Sequence, residues 1–438
     1  MMKRMLGLLA VLFSVLVAGR SHSAMYCVGT PSQLDAVLSV ATANGESDTI
    51  RLRQGIYTGT FVFDSSEDAG ITIVGGFDAT CASRTADPGT TIIDGGGSGT
   101  PLLIRIIGEG DVQLDGLTIQ NGGYRGLYIK LDNDPAGTIG SIDIENCVIA
   151  DNATKGGIYI LAADSPAFVP GGIRLAHNVI RGNVSNEGGA GVSILSQWDA
   201  RPSDVVLANN VIVGNLGSSS SGGVYISAGL QTRVFLVNNT IADNHAYTAL
   251  VNAGGVRIDN DGMAQLYVYN NIIWGNESQS GVADLWFNDG GMVHIGRNND
   301  YAELSGAWTI ASDNRDVDPS FQSPGYWNDN GTPASWTDDA WIDGDYHLSE
   351  GSPCIDTGNV DAPDLPALDI DGGPRSVDGN GDGNAEPDIG ADEVARDCLA
   401  DTEPDGDVDG ADLAAVAAGM ALIDSGVIAG EFGSNDCR

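Results

Sequence analysis

Positive charge is scarce in this chain of 438 residues: 20 lysines and arginines stand against 59 aspartates and glutamates, for a formal charge of -39. So acidic a surface excludes nucleic acid and anionic membrane as direct partners, and it repels a polyanionic glycan unless a divalent cation lies between them. Histidine is scarce too, and none of the five falls into a Ser–His–acid pattern or a metal-binding spacing. No apolar run is long enough to span a bilayer. The longest, from Leu6 to Val17, follows Lys3 and Arg4 and precedes small polar residues. Residues 1–24 therefore read as a secretory signal peptide, and the mature chain as an exported protein without a membrane span. Six cysteines, at 27, 81, 147, 354, 398 and 437, fit an oxidising compartment. Cys398 with Cys437 is the first expected pair and Cys27 with Cys81 the second, while Cys147 reads as a buried free thiol.

What is abundant is glycine, 61 residues of it, and one recurring phrase. ENCVIADN (145–152), AHNVIRGN (176–183), LANNVIVGN (207–215), VNNTIADN (237–244) and YNNIIWGN (269–276) share it. The central isoleucines are Ile119, Ile149, Ile180, Ile212, Ile241 and Ile273. A short alternating strand precedes each phrase, and a glycine turn with another strand follows, as in GGIYI and GGVYI. Three period-two strands per repeat exclude a helical repeat, which needs a rhythm of about 3.6 residues. Each repeat is thus one turn of a coil that buries its apolar face against its neighbours. Stacking puts Asn178, Asn210, Asn239 and Asn271 in one column. It puts Asn152, Asn183, Asn215, Asn244 and Asn276 in another. Stacked amides about 4.8 Å apart can bond along each column, and asparagine tolerates left-handed turns. The asparagines are structural.

These repeats resemble the right-handed parallel β-helix superfamily, the pectate-lyase-like fold, over roughly residues 25–300. The resemblance implies an all-β solenoid and supplies its handedness. PSQLDAVLSVATANG (31–45) fits an N-terminal capping helix, with Ser32 as N-cap and Asp35 three residues on. The coil is expected to occupy 25–315. After it, DYHLSEGSPCIDTG (345–358), DIDGGPR (369–375) and PDIGADE (387–393) resemble the family segment called choice-of-anchor Q. That resemblance implies a closing segment over 316–393 and surface attachment, and no reaction.

The sharpest functional motif is DTEPDGDVDGADL (401–413), in a small module spanning 394–438. Asp401, Glu403, Asp405, Asp407, Asp409 and Asp412 stand at positions 1, 3, 5, 7, 9 and 12 of a loop with Gly406 at its turn. That spacing supplies the hard oxygens Ca2+ requires. Aspartate at position 12 departs from the EF-hand pattern and resembles dockerin repeats. A second loop, DGNGDGNAEPD (378–388), offers Asp378, Asn380, Asp382 and Asp388 to calcium, or is a solvated turn.

On the coil, the outward residue of each glycine-led strand reads Tyr128, Tyr159, Ser193, Tyr225, Arg257 and Trp286. This row is a candidate glycan surface, although tyrosine also favours exposed strands with no ligand. DNDG at 259–262 reads as a turn, and no carboxylate pair has convincing glycosidase spacing. The expectation is a monomeric, calcium-stabilised, exported β-helix that binds polysaccharide or another surface component. The rival is a polysaccharide lyase or glycoside hydrolase acting from the loops at 165–172 and 196–204.

Overall fold

The computed structural model describes residues 23–395 and 413–414, apart from 133–138, 163–171, 197–203, 230–231, 248–252, 261–262, 280, 289–292 and 333–338. The signal segment, the calcium motif at 401–412, and Cys398 and Cys437 lie outside the described residues. Both loops of the rival reading lie outside almost entirely. Among the described residues no helix is long and apolar enough to cross a membrane.

Three parallel sheets wind into a coil of 11, 9 and 9 strands. Consecutive turns stack strand on strand in register, as the period demands. Ile119 pairs with Ile149, Ile149 with Ile180, Ile180 with Ile212, Ile212 with Ile241 and Ile241 with Ile273. All six are fully buried. The column extends beyond the repeats to Ile93 and Tyr57 on one side and Tyr301 on the other. Each fully buried isoleucine contributes about 1.5–3 kcal/mol relative to exposure, so this one line is a large share of the core. A fourth sheet of two-residue strands, from Val184–Ser185 to Glu277–Ser278, lies at the third corner of four turns.

The asparagine columns form as ladders. Asn178 Nδ2 donates to Asn210 Oδ1 at 3.0 Å, Asn210 to Asn239 at 2.9 Å and Asn239 to Asn271 at 2.9 Å. Asn299 and Asn314 continue the line. The second ladder runs from Asn152 through Asn183, Asn215 and Asn244 to Asn276, and Asp284 ends it, accepting from Asn276 Nδ2 at 3.1 Å. The left-handed backbone, however, belongs to the residue before each rung. His177, Asn209, Asn238, Asn270 and Asn298 have φ between 52° and 57°. Each NN dipeptide therefore splits its work: the first asparagine turns the corner and the second fills the interior.

The helix spans Pro31–Ala41, with Leu34, Leu38 and Ala41 buried in the same core as the first strands. Its N-cap is Thr30, not Ser32: Thr30 Oγ1 accepts from the Gln33 N–H. Pro31 explains the correction, because its fixed φ suits the first helical position and makes its predecessor the cap. The Cys27–Cys81 disulfide forms. Cys147 is a buried free thiol, pushed up to about 12 by burial. The strand Val256–Asn260 takes in the first two residues of DNDG, and the other two lie outside the described residues.

Candidate functional site at the seam of coil and closing segment

The corner asparagines carry a second consequence. Their side chains point away from the core and hydrogen-bond the chain that returns along the coil after the last turn. Asn238 Nδ2 donates to Asp388 O at 2.9 Å and Gly390 O at 3.1 Å. Asn209 donates to Leu368 O, Asn270 to Asn359 O and Asn298 to Thr357 O. The returning chain is organised by Arg375, which with Glu393 forms an ion pair at 3.2 Å whose side chains are 1% exposed. Arg375 also donates to the carbonyls of Ala391 and Asp392 and to Asn209. Glu393 accepts the backbone N–H groups of Ser376, Val377 and Asp388. The two charges of this buried pair thus offset each other, as low-dielectric burial requires, while the Arg375 Nε has no hydrogen-bond partner.

A hairpin of the returning chain, Tyr326–Asn328 paired with Ala340–Ile342, packs through Trp341 against Val211 and Val213 beside the isoleucine column. Its Trp341 seats on Gly182 and Gly214, and a Cβ at Gly214 would overlap the indole. Both glycines are left-handed, φ 61° and 58°, in the corner column that Asp151 and Asp243 also occupy. Glycine here serves the turn and the close approach together. Trp327 packs against Trp341 at 5.6 Å between ring centroids.

Beside this hairpin is a cavity of about 370 Å³. Its walls include Tyr326, Trp327 and Trp341 from the hairpin, Asp243 and Glu277 from the coil, and Asp329 and Asp339. The indole Nε1 groups of Trp327 and Trp341 are buried and have no hydrogen-bond partner. Asp243 Oδ2 accepts from the Tyr346 hydroxyl at 2.6 Å. Burial pushes the Asp243 carboxyl up to about 6, with the Tyr346 bond opposing and the Glu277 charge adding. Aromatic rings, carboxylates and a carboxyl near neutrality thus line one concavity, and the two indoles behind its wall have N–H groups without partners.

The row on the third sheet is in register: Tyr128 pairs with Tyr159, Tyr159 with Ser193, Ser193 with Tyr225, Tyr225 with Arg257 and Arg257 with Trp286. Its rings are half-buried and already engaged. The Arg125 guanidinium lies 4.2 Å from the Tyr159 ring centroid and 5.0 Å from that of Tyr128. Arg257 lies 4.9 Å over Trp286 and is fixed to Asp259 at 3.0 Å. Tyr225 donates to Asp259 at 3.0 Å, and burial first, then the Asp259 charge, push its hydroxyl up to about 12.

In the 378–388 loop, Asp378 accepts the N–H groups of Gly381, Asp382 and Gly383, and Asn380 accepts that of Asp382. Asp382 accepts from Asn384. Asp388 does not join them. It is fully buried, each oxygen taking one N–H, from Asp356 and Val394, and burial with the nearby Glu393 charge pushes it up to about 8. Asp378 is half-buried, Asn380 and Asp382 are exposed, and all three are organised by their own turn.

The tryptophan hairpin escaped notice in the sequence because its partners lie far away: Tyr346 and Asp243 are 103 residues apart. The available signal was compositional, an unusual run of tryptophan and aspartate in GYWNDNGTPASWTDDAWIDGD (325–345).

Residues 102–300 match the family described as right handed beta helix region. The coil of stacked parallel sheets is a parallel β-helix. Among solved structures, the pectate lyase Pel9A is 15% identical, with 86% of this chain and 98% of that one covered at a TM-score of 0.40. Escherichia coli ybhc is 12% identical, covering 66% of this chain and 74% of that one at 0.25. Neither likeness bears on activity. No curated protein matches the chain.

Proposed function

We propose that this is an exported β-helix protein that binds a neutral or basic polysaccharide at the seam cavity beneath Trp327 and Trp341. One observation carries the reading: two tryptophans whose buried indole N–H groups have no partner wall the same concavity as several carboxylates. A buried donor left unmet is costly, and a sugar hydroxyl meets it while the ring stacks on the pyranose face. Carboxylates accept the remaining hydroxyls. The acidity of the walls and of the whole chain disfavours polyanionic glycans. The Tyr128, Tyr159, Tyr225, Arg257 and Trp286 row ranks second, since arginines already cover its rings. Calcium is assigned to the loop of Asp401, Glu403, Asp405, Asp407, Asp409 and Asp412 on its spacing, as a stabiliser of the C-terminal module, and export to the signal segment.

The test is retention of the full chain on a panel of immobilised polysaccharides. Trp327→Ala and Trp341→Ala should each weaken retention at least tenfold while far-ultraviolet circular dichroism stays unchanged. Equal retention of both variants and wild type removes the seam from consideration. A second reading, cleavage of the bound glycan, rests on Asp243: a carboxyl held near 6 is suited to donate a proton to a leaving oxygen. New reducing ends that vanish in Asp243→Asn would support it. Retention without product leaves binding alone.

A further inference from the structure

A second cavity, of about 320 Å³, is walled by Val211 and Val213 of the coil and by three separate pieces of the returning chain. Those pieces bring together His347 from the strand Asp345–Leu348, Asp371 from the DIDGG turn and Asp392 from the PDIGADE phrase. One ligand atom of each lies within 4.8 Å of the other two. Asp392 is 4% exposed. Its Oδ2 accepts the Leu348 N–H at 2.7 Å, while its Oδ1 is buried with no hydrogen-bond partner. An unpartnered carboxylate oxygen in the interior calls for a cation or a donor; among the described residues no donor reaches it, and the His347 ring acts on this carboxylate through charge alone. His347 is already set as a ligating histidine would be. Its Nδ1 is 2.5 Å from Asp345 Oδ1, and its Nε2 is 2.7 Å from Asp371 Oδ2. Asp345 on Nδ1 fixes the orientation of the ring, and the Nε2 edge, now held by Asp371, is the one turned to a metal ligand.

We propose that His347, Asp371 and Asp392 bind a divalent transition-metal cation of the zinc or manganese type, with Asp345 as the carboxylate behind the histidine. One imidazole and two carboxylates suit those ions, whereas calcium prefers an all-oxygen shell. The cation enters between Nε2 and Asp371, displacing the proton held there to solvent. Because the cluster lines a cavity, water or an oxygen ligand can complete the coordination. The site is independent of the calcium motif and of the glycan reading. It would pin three parts of the closing segment to one another beside the hairpin that carries Trp341.

Isothermal titration of the full chain with ZnCl2, and separately with MnCl2, in the presence of excess Ca2+ tests this. One equivalent should bind to the wild type and lose at least tenfold in affinity in both His347→Ala and Asp371→Asn. Asp371 is exposed, so its variant keeps the fold even if the histidine variant does not. Titration with Co2+ should give a visible absorption band that Asp371→Asn diminishes. Absence of a saturable equivalent in the wild type, or equal affinity in wild type and Asp371→Asn, overturns the assignment.

Discussion

Asn210 offers the most searching perturbation of the coil. Its Nδ2 donates to Leu175 O at 2.8 Å and Asn239 Oδ1 at 2.9 Å, while its Oδ1 accepts from Asn178 N at 3.1 Å and Asn178 Nδ2 at 3.0 Å. Asn210→Ala removes all four bonds in a fully buried site. The acceptors suffer least, since Asn239 Oδ1 keeps the Asn210 backbone N–H at 3.0 Å. The Asn178 backbone N–H loses its acceptor and one Nδ2 hydrogen loses its own, the other keeping Ile144 O at 2.9 Å; each loss costs about 1–3 kcal/mol, which sums to roughly 2–6 kcal/mol. Because repeats interact with nearest neighbours, the damage should be local. Urea unfolding should show a loss in that range, and native-state hydrogen exchange should lose protection at Val211 and Thr240 before strands near Ile73. Asn210→Asp should be worse, as a carboxylate oxygen then faces Leu175 O. A loss below about 0.5 kcal/mol, or exchange raised evenly along the rod, would refute the ladder as a stabilising element.

Gly214→Ala should cost roughly 1–2 kcal/mol for the left-handed backbone and in addition unseat Trp341, shifting tryptophan emission to the red. Gly97→Ala, at φ 76° with open space beyond it, carries the backbone cost alone and should leave emission unchanged. Asp284 sets a pH dependence. Burial pushes it up to about 6 despite bonds from Asn276, Ala302 and Glu303. The folded state then holds a proton that the unfolded state has lost. Stability from this group is full below about pH 4 and is lost as pH rises through about 6, a change of about 3 kcal/mol. Asp284→Asn should flatten that part of the melting-temperature profile, and an unaltered slope contradicts the assignment. Chelation with EDTA should open the 394–438 module to protease while the circular dichroism of the coil holds. Equal digestion with and without chelator removes calcium from that module.

The repeat was readable because its partners are the same residues one turn away. Ile149 meets Ile119 and Ile180 whatever the loops between them do, so spacing alone placed both ladders, the isoleucine column and the row through Tyr159. The Cys27–Cys81 pair, second among those expected, also formed. Fine local choices were not legible. Thr30 displaced Ser32 as cap because Pro31 follows it. Within each NN pair, which asparagine turns the corner depends on backbone geometry that the letters do not distinguish.

What the sequence by itself determined is a solenoid, since a periodic pattern of inward side chains has few other ways to be buried. Only the tertiary structure decided the seam. Arg375 finding Asn209, Tyr346 finding Asp243, and Asp392 coming beside His347 are contacts between a periodic element and an aperiodic one. No spacing encodes them, because the returning chain is held by backbone carbonyls that any sequence possesses and by charges that gain a partner only once buried.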